Sequence, residues 1–475
     1  MKELGILCHI TSLKSKYGIG DFGKSSIDFI KYIKSKGFSI WQILPLNDTN
    51  DFNCPYGTRS ALTLDEQFID LDQLVKLNLI QKTDLISLIN HTSEKVDYEF
   101  IKKEKRRIVE IAYSNIDENM KVKLNKFIKK YPHIKEYSYY KTLLEINSTH
   151  DWRTIENINR EDIESKYSTI IYKYIFIQYL LYTQWSKVKK YANKNNIKII
   201  GDMPIYCEPT SFDVYYNRDI FLLDENNNPI ATGGAPADLF CTNEQNWGTC
   251  IYNWKLLEKQ KYKWFTNRIK ILNTFYDYIR IDHFPGLVEF YQIDAHDPTK
   301  NCFQKGGSYK LFDTIQKTFS LNRFIIEDIG FMPDSCNEVK EHYNLTGMRV
   351  IEFGFNTDNN NPHYPTSVPS NCIYYSSNHD CNTLIGWLNN ASKTEKNNLK
   401  EYFKLDKYNK KQAHINCCKA LVNSNATTII FQIQDLLKED ENKRMNIPGQ
   451  AQNCWEYKVP NNYKTSINRT LKEIL

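Results

Sequence analysis

The sequence predicts an α/β fold, a (β/α)8 TIM barrel that carries a large helical insertion. Eight short runs rich in β-branched and aromatic residues recur along the 475 residues. Most are apolar without alternation, as strands buried on both faces of a parallel sheet are. Several end in a carboxylate, at the face of the barrel where such folds build their active sites. The predicted strands are Gly5–Ile10, Ser39–Leu46, Ile197–Ile205, Tyr278–Asp282, Arg323–Ile329, Met348–Phe355, Cys372–Asp380 and Thr427–Ile433.

The connections between the predicted strands have helical patterns. After the first strand, Ser25 and Ser26 precede apolar residues at helical spacing, and Gly37 closes the helix. Another helix is predicted from Tyr309 to about Phe319, after an irregular stretch that follows the fourth strand. Strands that alternate with helices along the chain are typical of a parallel barrel.

One connection is far longer than the others. About 150 residues, 47–196, separate the second and third predicted strands, and a connection that long must carry structure of its own. The patterns of Glu99–Ala112 and Ser168–Ala192 are helical. We therefore expect a single catalytic barrel domain over residues 1–475, with 47–196 as one or more inserted helical subdomains. About 40 residues follow the eighth strand, which leaves no room for a separate C-terminal β-domain.

The charge distribution argues against a nucleic-acid or membrane partner. The 62 Lys and Arg residues exceed the 56 Asp and Glu residues by only 6, and they are spread along the chain instead of forming a basic stripe. The densest cluster, residues 102–107, is typical of a solvated helix face. The longest apolar stretch, Ile170 to Trp185, is interrupted by Lys173 and two glutamines and predicts a buried helix, not a membrane span.

The cysteines favour a reducing compartment. Twelve are present, and no two have the CxxC spacing that zinc sites or disulfide frameworks use. We expect free thiols and a cytoplasmic location.

The carboxylates at the strand ends suggest glycoside chemistry. Arg280 precedes Asp282 by two residues on the same side of a strand, so we expect the arginine to lower the pKa of Asp282 and hold it ionised, as a nucleophile requires. Glu327 follows three apolar residues, an environment that favours the protonated carboxyl of a general acid. Asp202 and Asp380 end two further strands. Such a set favours glycoside chemistry, in which a retaining mechanism would place the nucleophile and the acid/base ~5–5.5 Å apart.

Each of these signals is weak by itself. A single aspartate at a strand end is more often a helix cap or an ion-pair partner, the Arg-x-Asp pattern occurs in many chains, and the barrel supports many chemistries. The order of the carboxylates and their placement on successive strands are what favour a glycoside-processing site.

A series of short motifs runs in order along almost the whole chain. The motifs are Gly5–Leu13, Tyr17–Gly23, Trp41–Leu46, Pro55–Tyr56, Gly201–Tyr206, Gly233–Pro236, Trp247–Gly248, Arg280–Phe284, Glu327–Gly330, His379–Asp380 and Asn446–Gly449. With these motifs the chain resembles the amylomaltases, which are 4-α-glucanotransferases of the α-amylase clan, also called disproportionating enzymes. The resemblance is weakest from about Gln67 to Tyr167.

The resemblance implies a double-displacement reaction on α-1,4-glucans and maltooligosaccharides, without metal or cofactor, by a monomer or homodimer. Asp282 matches the family's nucleophile, Glu327 its acid/base, and Asp380 the third carboxylate that supports an oxocarbenium-like transition state. The residues that match substrate-binding positions are Tyr56, Asp202, Asp238, Trp247, Arg280, His283 and His379. As alternatives, Asp202 organises the barrel floor without touching sugar, and His283 is a structural hydrogen-bonding residue.

The segment from Gly233 to Trp247 matches a loop that lies over the cleft in this family, and we expect a lid loop after the third strand. Apolar and aromatic side chains there, Phe240 and Trp247, would exclude water while a sugar acceptor is positioned, and so favour transfer over hydrolysis. The positions that depart from the family pattern are Ala237, Cys241, Glu244, Thr249, Cys250, Pro285, Ile326, Cys381 and Asn382. They leave chain-length preference and cyclisation open. A weakly active or hydrolytic member of the clan, or a glucan-binding pseudoenzyme, is the alternative.

Overall fold

The structure is a computed structural model and describes residues 2–156, 158–238, 241–356 and 361–475. The strands in these ranges are β1 (Glu3–Leu7), β2 (Ile40–Gln42), β3 (Asp48–Thr49), β4 (Thr58–Ser60), β5 (Lys198–Met203), β6 (Ala231–Ala235), β7 (Gln245–Cys250), β8 (Tyr278–Ile281), β9 (Glu289–Asp294), β10 (Cys302–Lys305), β11 (Phe324–Ile326), β12 (Gly347–Val350), β13 (Cys372–Tyr375) and β14 (Thr428–Gln432).

The α-helices in the same ranges are α1 (Lys24–Ser35), α2 (Leu71–Lys76), α3 (Ile86–Asn90), α4 (Tyr98–Ser114), α5 (Glu118–Lys130), α6 (His133–Ile146), α7 (Arg160–Lys166), α8 (Ser168–Lys194), α9 (Phe212–Tyr216), α10 (Trp254–Lys259), α11 (Lys263–Phe275), α12 (Pro285–Val288), α13 (Ser308–Gln316), α14 (Asp334–His342), α15 (Leu384–Asn390), α16 (Lys393–Phe403), α17 (Lys410–Asn423), α18 (Ile433–Leu437) and α19 (Tyr463–Ile474).

Eight parallel strands form the barrel. Their order is β11-β8-β5-β2-β1-β14-β13-β12, and the two edges meet where the Ile326 amide donates to the Thr346 carbonyl at 2.9 Å. Each of the eight predicted strands overlaps one of these strands, so the barrel prediction is confirmed. Their apolar runs face the barrel interior on one side and the surrounding helices on the other.

Most predicted strands extend too far at their carboxyl ends. The second was predicted to reach Leu46, but β2 ends at Gln42; the seventh was predicted to reach Asp380, but β13 ends at Tyr375. Ile43, Leu44 and Leu46 remain fully buried beyond the strand. Hydrophobicity therefore marks burial, which continues into the loops that line the barrel mouth.

The long connection between β2 and β5 is largely helical, as predicted. It contains the β3–β4 hairpin and helices α2 to α8. Helix α8 packs against α1, α11 and β5 and so leads the chain back into the barrel. The division into a barrel and an inserted subdomain stays a prediction. Neither α8 nor any other described helix has the length and apolar character needed to cross a membrane.

The segment that was predicted as a lid loop includes residues of strands β6 and β7, which belong to a second sheet. Strands β6 and β7 follow β5, and they join β9 and β10, which follow β8, in an antiparallel sheet of order β10-β9-β6-β7. The sequence pattern did not predict β9 and β10, which are short and pair with each other and with β6 instead of with the barrel strands. The pairing needs a glycine at Gly234, where a Cβ atom would lie 2.3 Å from the carbonyl oxygen of Gln245.

The residues after β14 are helical or irregular. The described part of this region holds α18 and α19, which pack against each other, and no strand.

Candidate active site

A buried arginine gathers three carboxylates at the mouth of the barrel. Arg280 lies in β8, between neighbouring strands β5 and β11, and its side chain is fully buried. Its Nη1 lies 2.6 Å from Asp202 Oδ2 and 3.0 Å from Asp282 Oδ1, and its Nη2 lies 2.9 Å from Glu327 Oε1. The carboxyl ends of adjacent parallel strands thus bring the predicted nucleophile and acid/base to one guanidinium.

The backbone turn after Asp282 holds Glu327 in place. His283 has a φ of +41°, a left-handed conformation that is uncommon for residues other than glycine. In this conformation its amide donates to Glu327 Oε2 at 2.8 Å, and the Phe284 amide donates to the Glu327 carbonyl at 3.2 Å. Backbone strain of this kind persists where the surrounding structure enforces it, typically at functional sites.

Asp380 lies in the loop after β13 and has partners of its own. Its amide donates to Asn378 Oδ1 at 2.9 Å, which fixes the turn. Its Oδ1 accepts from Asn446 Nδ2 at 2.6 Å, and its Oδ2 lies 3.1 Å from His379 Nε2. Asp380 is thereby oriented independently of Arg280.

The surroundings of Asp282 and those of Asp380 shift the carboxyl pKa in opposite directions. Burial, together with Glu327, Asp202 and Asp380, outweighs Arg280 and raises the pKa of Asp282 well above its ordinary value. The predicted lowering is therefore wrong, because the burial of Asp282 and its closeness to the other acids outweigh the effect of one arginine. For Asp380, burial is outweighed by His379 and by the hydrogen bonds from His379 and Asn446, which lower its pKa to about 2.

Tyr56 connects the carboxylates around Arg280 with the pair formed by His379 and Asp380. Its ring stacks on the His379 ring, with centroids 5.0 Å apart and planes 6° apart, and its hydroxyl donates to Asp202 Oδ2 at 2.8 Å. Burial first, and then the Asp202 charge, raise the pKa of Tyr56 well above its ordinary value, so the hydroxyl stays a neutral donor.

A cleft of about 420 Å³ opens above these residues. Of the predicted site residues, those that line it are Tyr56, Asp238, Trp247, Asp282, His283, Glu327 and Asp380. Asp202, Arg280 and His379 are buried beneath the lining, at 1%, 0% and 2% exposure. For Asp202 this geometry favours the alternative role in the barrel floor.

Trp247, on strand β7, forms the lid side of the cleft. Its ring meets His283 edge-on at a centroid distance of 4.7 Å. Burial lowers the pKa of His283 to about 4, so this imidazole is neutral near pH 7. The other predicted lid aromatic, Phe240, lies outside the described residues.

Several cleft residues were not predicted as site residues. Asn446 belongs to a quoted motif, yet its bond to Asp380 was missed. Trp455 belongs to no motif; it lines the cleft with its ring 5.8 Å from that of Tyr56. Glu208 also lines the cleft and accepts from Asn50 Nδ2 at 2.7 Å. Only Asn446 carried a sequence signal.

Four of the positions that depart from the family pattern lie in or next to the site. Thr249 lines the cleft. Pro285 occupies the first turn of α12, where proline is well tolerated, and Ile326 and Cys381 are buried beside the site.

Comparisons with known proteins all point to one enzyme family. A family model described as 4-alpha-glucanotransferase matches residues 8–464. A 4-alpha-glucanotransferase of Clostridium butyricum is 35% identical over 96% of each chain, and one of Aquifex aeolicus is 31% identical over 100% of this chain and 99% of its own. The solved structure of an amylomaltase from Streptococcus agalactiae in complex with acarbose has a TM-score of 0.93 at 28% identity, covering 99% of this chain and 98% of that one.

Proposed function

The chain belongs to the 4-alpha-glucanotransferase family, and on that premise we propose that it transfers α-1,4-glucan segments between maltooligosaccharides by a retaining double displacement. The observation that carries the proposal is the guanidinium of Arg280, which binds Asp282 and Glu327 within 3.0 Å at the floor of the cleft. One cation thereby fixes the relative position of nucleophile and acid/base.

In the first half of the reaction, the Asp282 carboxylate attacks C1 of the donor glucose while Glu327 gives its proton to the glycosidic oxygen. The C1–O bond breaks, and the shortened glucan leaves with a free 4-hydroxyl. In the second half, an acceptor 4-hydroxyl gives its proton to Glu327 and its oxygen attacks C1, so that the ester to Asp282 breaks. Two inversions leave the α-configuration unchanged.

The charge of the site suits an oxocarbenium-like transition state. In the free protein, Arg280 faces more carboxylates than one positive charge can balance, and burial together with this surplus of negative charge raises the pKa of Asp282. Positive charge that develops at C1 offsets the surplus, so the site stabilises the transition state more than the ground state. Asp380, whose pKa is about 2, stays ionised throughout to bind sugar hydroxyls.

Transfer instead of hydrolysis depends on keeping water from the glycosyl-enzyme. Trp247 and His283 form one wall of the cleft directly beside Asp282. This wall limits the access of water while a sugar acceptor is held beside Glu327. The proposal includes a cytoplasmic location and a monomer or homodimer.

The test is the product ladder from maltotriose. A transferase yields glucose together with maltopentaose and longer chains, because each transferred unit extends another molecule. Glucose and maltose with no longer oligosaccharide would instead identify a hydrolase. Wild type with no more activity than Asp282→Asn, despite binding maltodextrin, would identify a glucan-binding protein.

A further inference from the structure

Three aromatic side chains form a row outside the cleft, and we call Phe331, Phe303 and Tyr291 the aromatic row. The Phe331 and Phe303 rings are stacked, with centroids 5.3 Å apart and planes 28° apart. The Phe303 and Tyr291 rings follow with centroids 5.0 Å apart. Phe331 is 50% exposed.

The aromatic row begins where one wall of the cleft ends. Glu327 and Ile329 line the cleft. The next residue, Gly330, has a φ of +85° and turns the chain in a left-handed conformation that glycine adopts readily. Phe331 follows this turn immediately, so the row begins two residues after Ile329, on the segment that carries the acid/base.

The rest of the row is held by the second sheet. Phe303 of β10 and Tyr291 of β9 are opposite each other across the antiparallel pair, where facing side chains pack together. The Tyr291 hydroxyl donates to Glu244 Oε2 at 2.8 Å, and Asn301 Nδ2 donates to Glu244 Oε1 at 3.1 Å. Tyr291 is thus fixed by Glu244 before any ligand arrives, which reduces the entropy lost on binding.

The chemistry of the row fits a sugar chain. A pyranose ring presents C–H groups on its face and hydroxyls at its edge, so it stacks on an aromatic ring while its edge reaches polar neighbours. Lys305, two residues after Phe303 on β10 and therefore on the same face of the sheet, is exposed and polar. An exposed apolar surface with a polar border is typical of a binding site.

The position of Glu327 indicates whether the row would bind the donor chain or the acceptor chain. An acid/base lies at the glycosidic oxygen, between the donor sugar and the chain that leaves or accepts. A wall that runs outward from Glu327 therefore follows the acceptor. We propose that the aromatic row is a remote acceptor subsite that binds α-1,4-glucan chains too long to be held within the cleft. This inference rests on the proposed function.

The test compares acceptors of increasing length with one fixed donor, from glucose to maltoheptaose. Phe331→Ala is expected to raise the acceptor KM for maltoheptaose ~3- to 10-fold, with kcat unchanged and with glucose kinetics as in the wild type. Phe331→Trp keeps a stacking face and is expected to behave as the wild type. Tyr309→Ala, which removes an aromatic that is 38% exposed but outside the row, is the matched control.

Other outcomes overturn the assignment. An equal loss with glucose indicates a structural effect, a dependence on donor length places the row on the donor side, and unchanged KM values exclude the subsite. If no transfer is detected, that result contradicts the proposed function but not the subsite. Calorimetry then compares the affinity of the wild type and Phe331→Ala for maltoheptaose, and equal affinities exclude the subsite.

Discussion

Asp282 and Asp380 line the same cleft but are held in opposite ways. Asp282 shares the buried Arg280 guanidinium with two other acids, whereas the Asp380 carboxylate is paired with His379 and accepts a hydrogen bond from Asn446. The first arrangement raises the pKa of its carboxyl, and the second lowers it to about 2. The difference separates two tasks: a carboxylate that must lose its charge on forming a covalent bond, and one that must keep it.

Replacement of the nucleophile has the largest expected effect. Asp282→Asn keeps the size of the side chain but removes the attacking carboxylate, and we expect transfer from maltotriose to fall by ~10⁴-fold or more. Asp406→Asn, a substitution on the exposed surface, is the control. Retention of more than a few per cent of activity by Asp282→Asn would show that another group forms the glycosyl-enzyme.

Replacement of the acid/base separates proton transfer from nucleophilic attack. We expect Glu327→Gln to lower transfer from maltotriose by ~10²- to 10⁴-fold, the usual contribution of a general acid. The initial burst of fluoride from α-maltosyl fluoride should recover, because fluoride leaves without protonation. The same donor should not rescue Asp282→Asn; equal rescue of both variants contradicts the assigned roles.

The contrast between the two carboxylates shows what the sequence could predict. Asp282 and Glu327 directly follow barrel strands, so the strand pattern predicted their meeting at the barrel mouth. The surplus charge around Arg280 was missed because it depends on the distances among side chains from three strands. Trp455 follows the last barrel strand in a loop without periodicity, and the second sheet is built from segments separated by β8; neither leaves a local pattern.

The asparagine beside Asp380 should affect activity moderately. Asn446→Ala removes the hydrogen bond to Asp380 Oδ1 but keeps the carboxylate, so we expect about a tenfold loss of kcat/KM, equivalent to about 1.4 kcal/mol. Loss of this bond also raises the pKa of Asp380. Asn442→Ala, at an exposed position on the same segment, should match the wild type. An unchanged kcat/KM for Asn446→Ala means that His379 alone suffices to orient Asp380.

The smallest effects, on stability, should have opposite signs for the two carboxylates. The pKa of Asp380 falls from 3.8 to about 2 on folding, so its ionisation stabilises the folded protein above pH ~4, and this contribution is lost as the pH falls toward 2. Asp380→Asn should therefore lower the free energy of unfolding at pH 7 by ~2 kcal/mol. The pKa of Asp282 rises on folding, so its contribution is unfavourable once the pH exceeds 3.8 and grows up to the raised pKa.

Asp282→Asn removes that unfavourable charge and should raise the free energy of unfolding at pH 7 by ~0.5–2 kcal/mol, as substitutions at strained active sites do. Urea denaturation of both variants at pH 7 and pH 4 measures the effect. Near pH 4 the wild-type Asp282 is largely protonated, so the gain from Asp282→Asn should shrink. A loss of stability in Asp282→Asn at pH 7 would mean that the ion pair with Arg280 outweighs the crowding of carboxylates. The two aspartates would then be held by the same kind of favourable pairing, and the separation of tasks between them would rest on geometry alone.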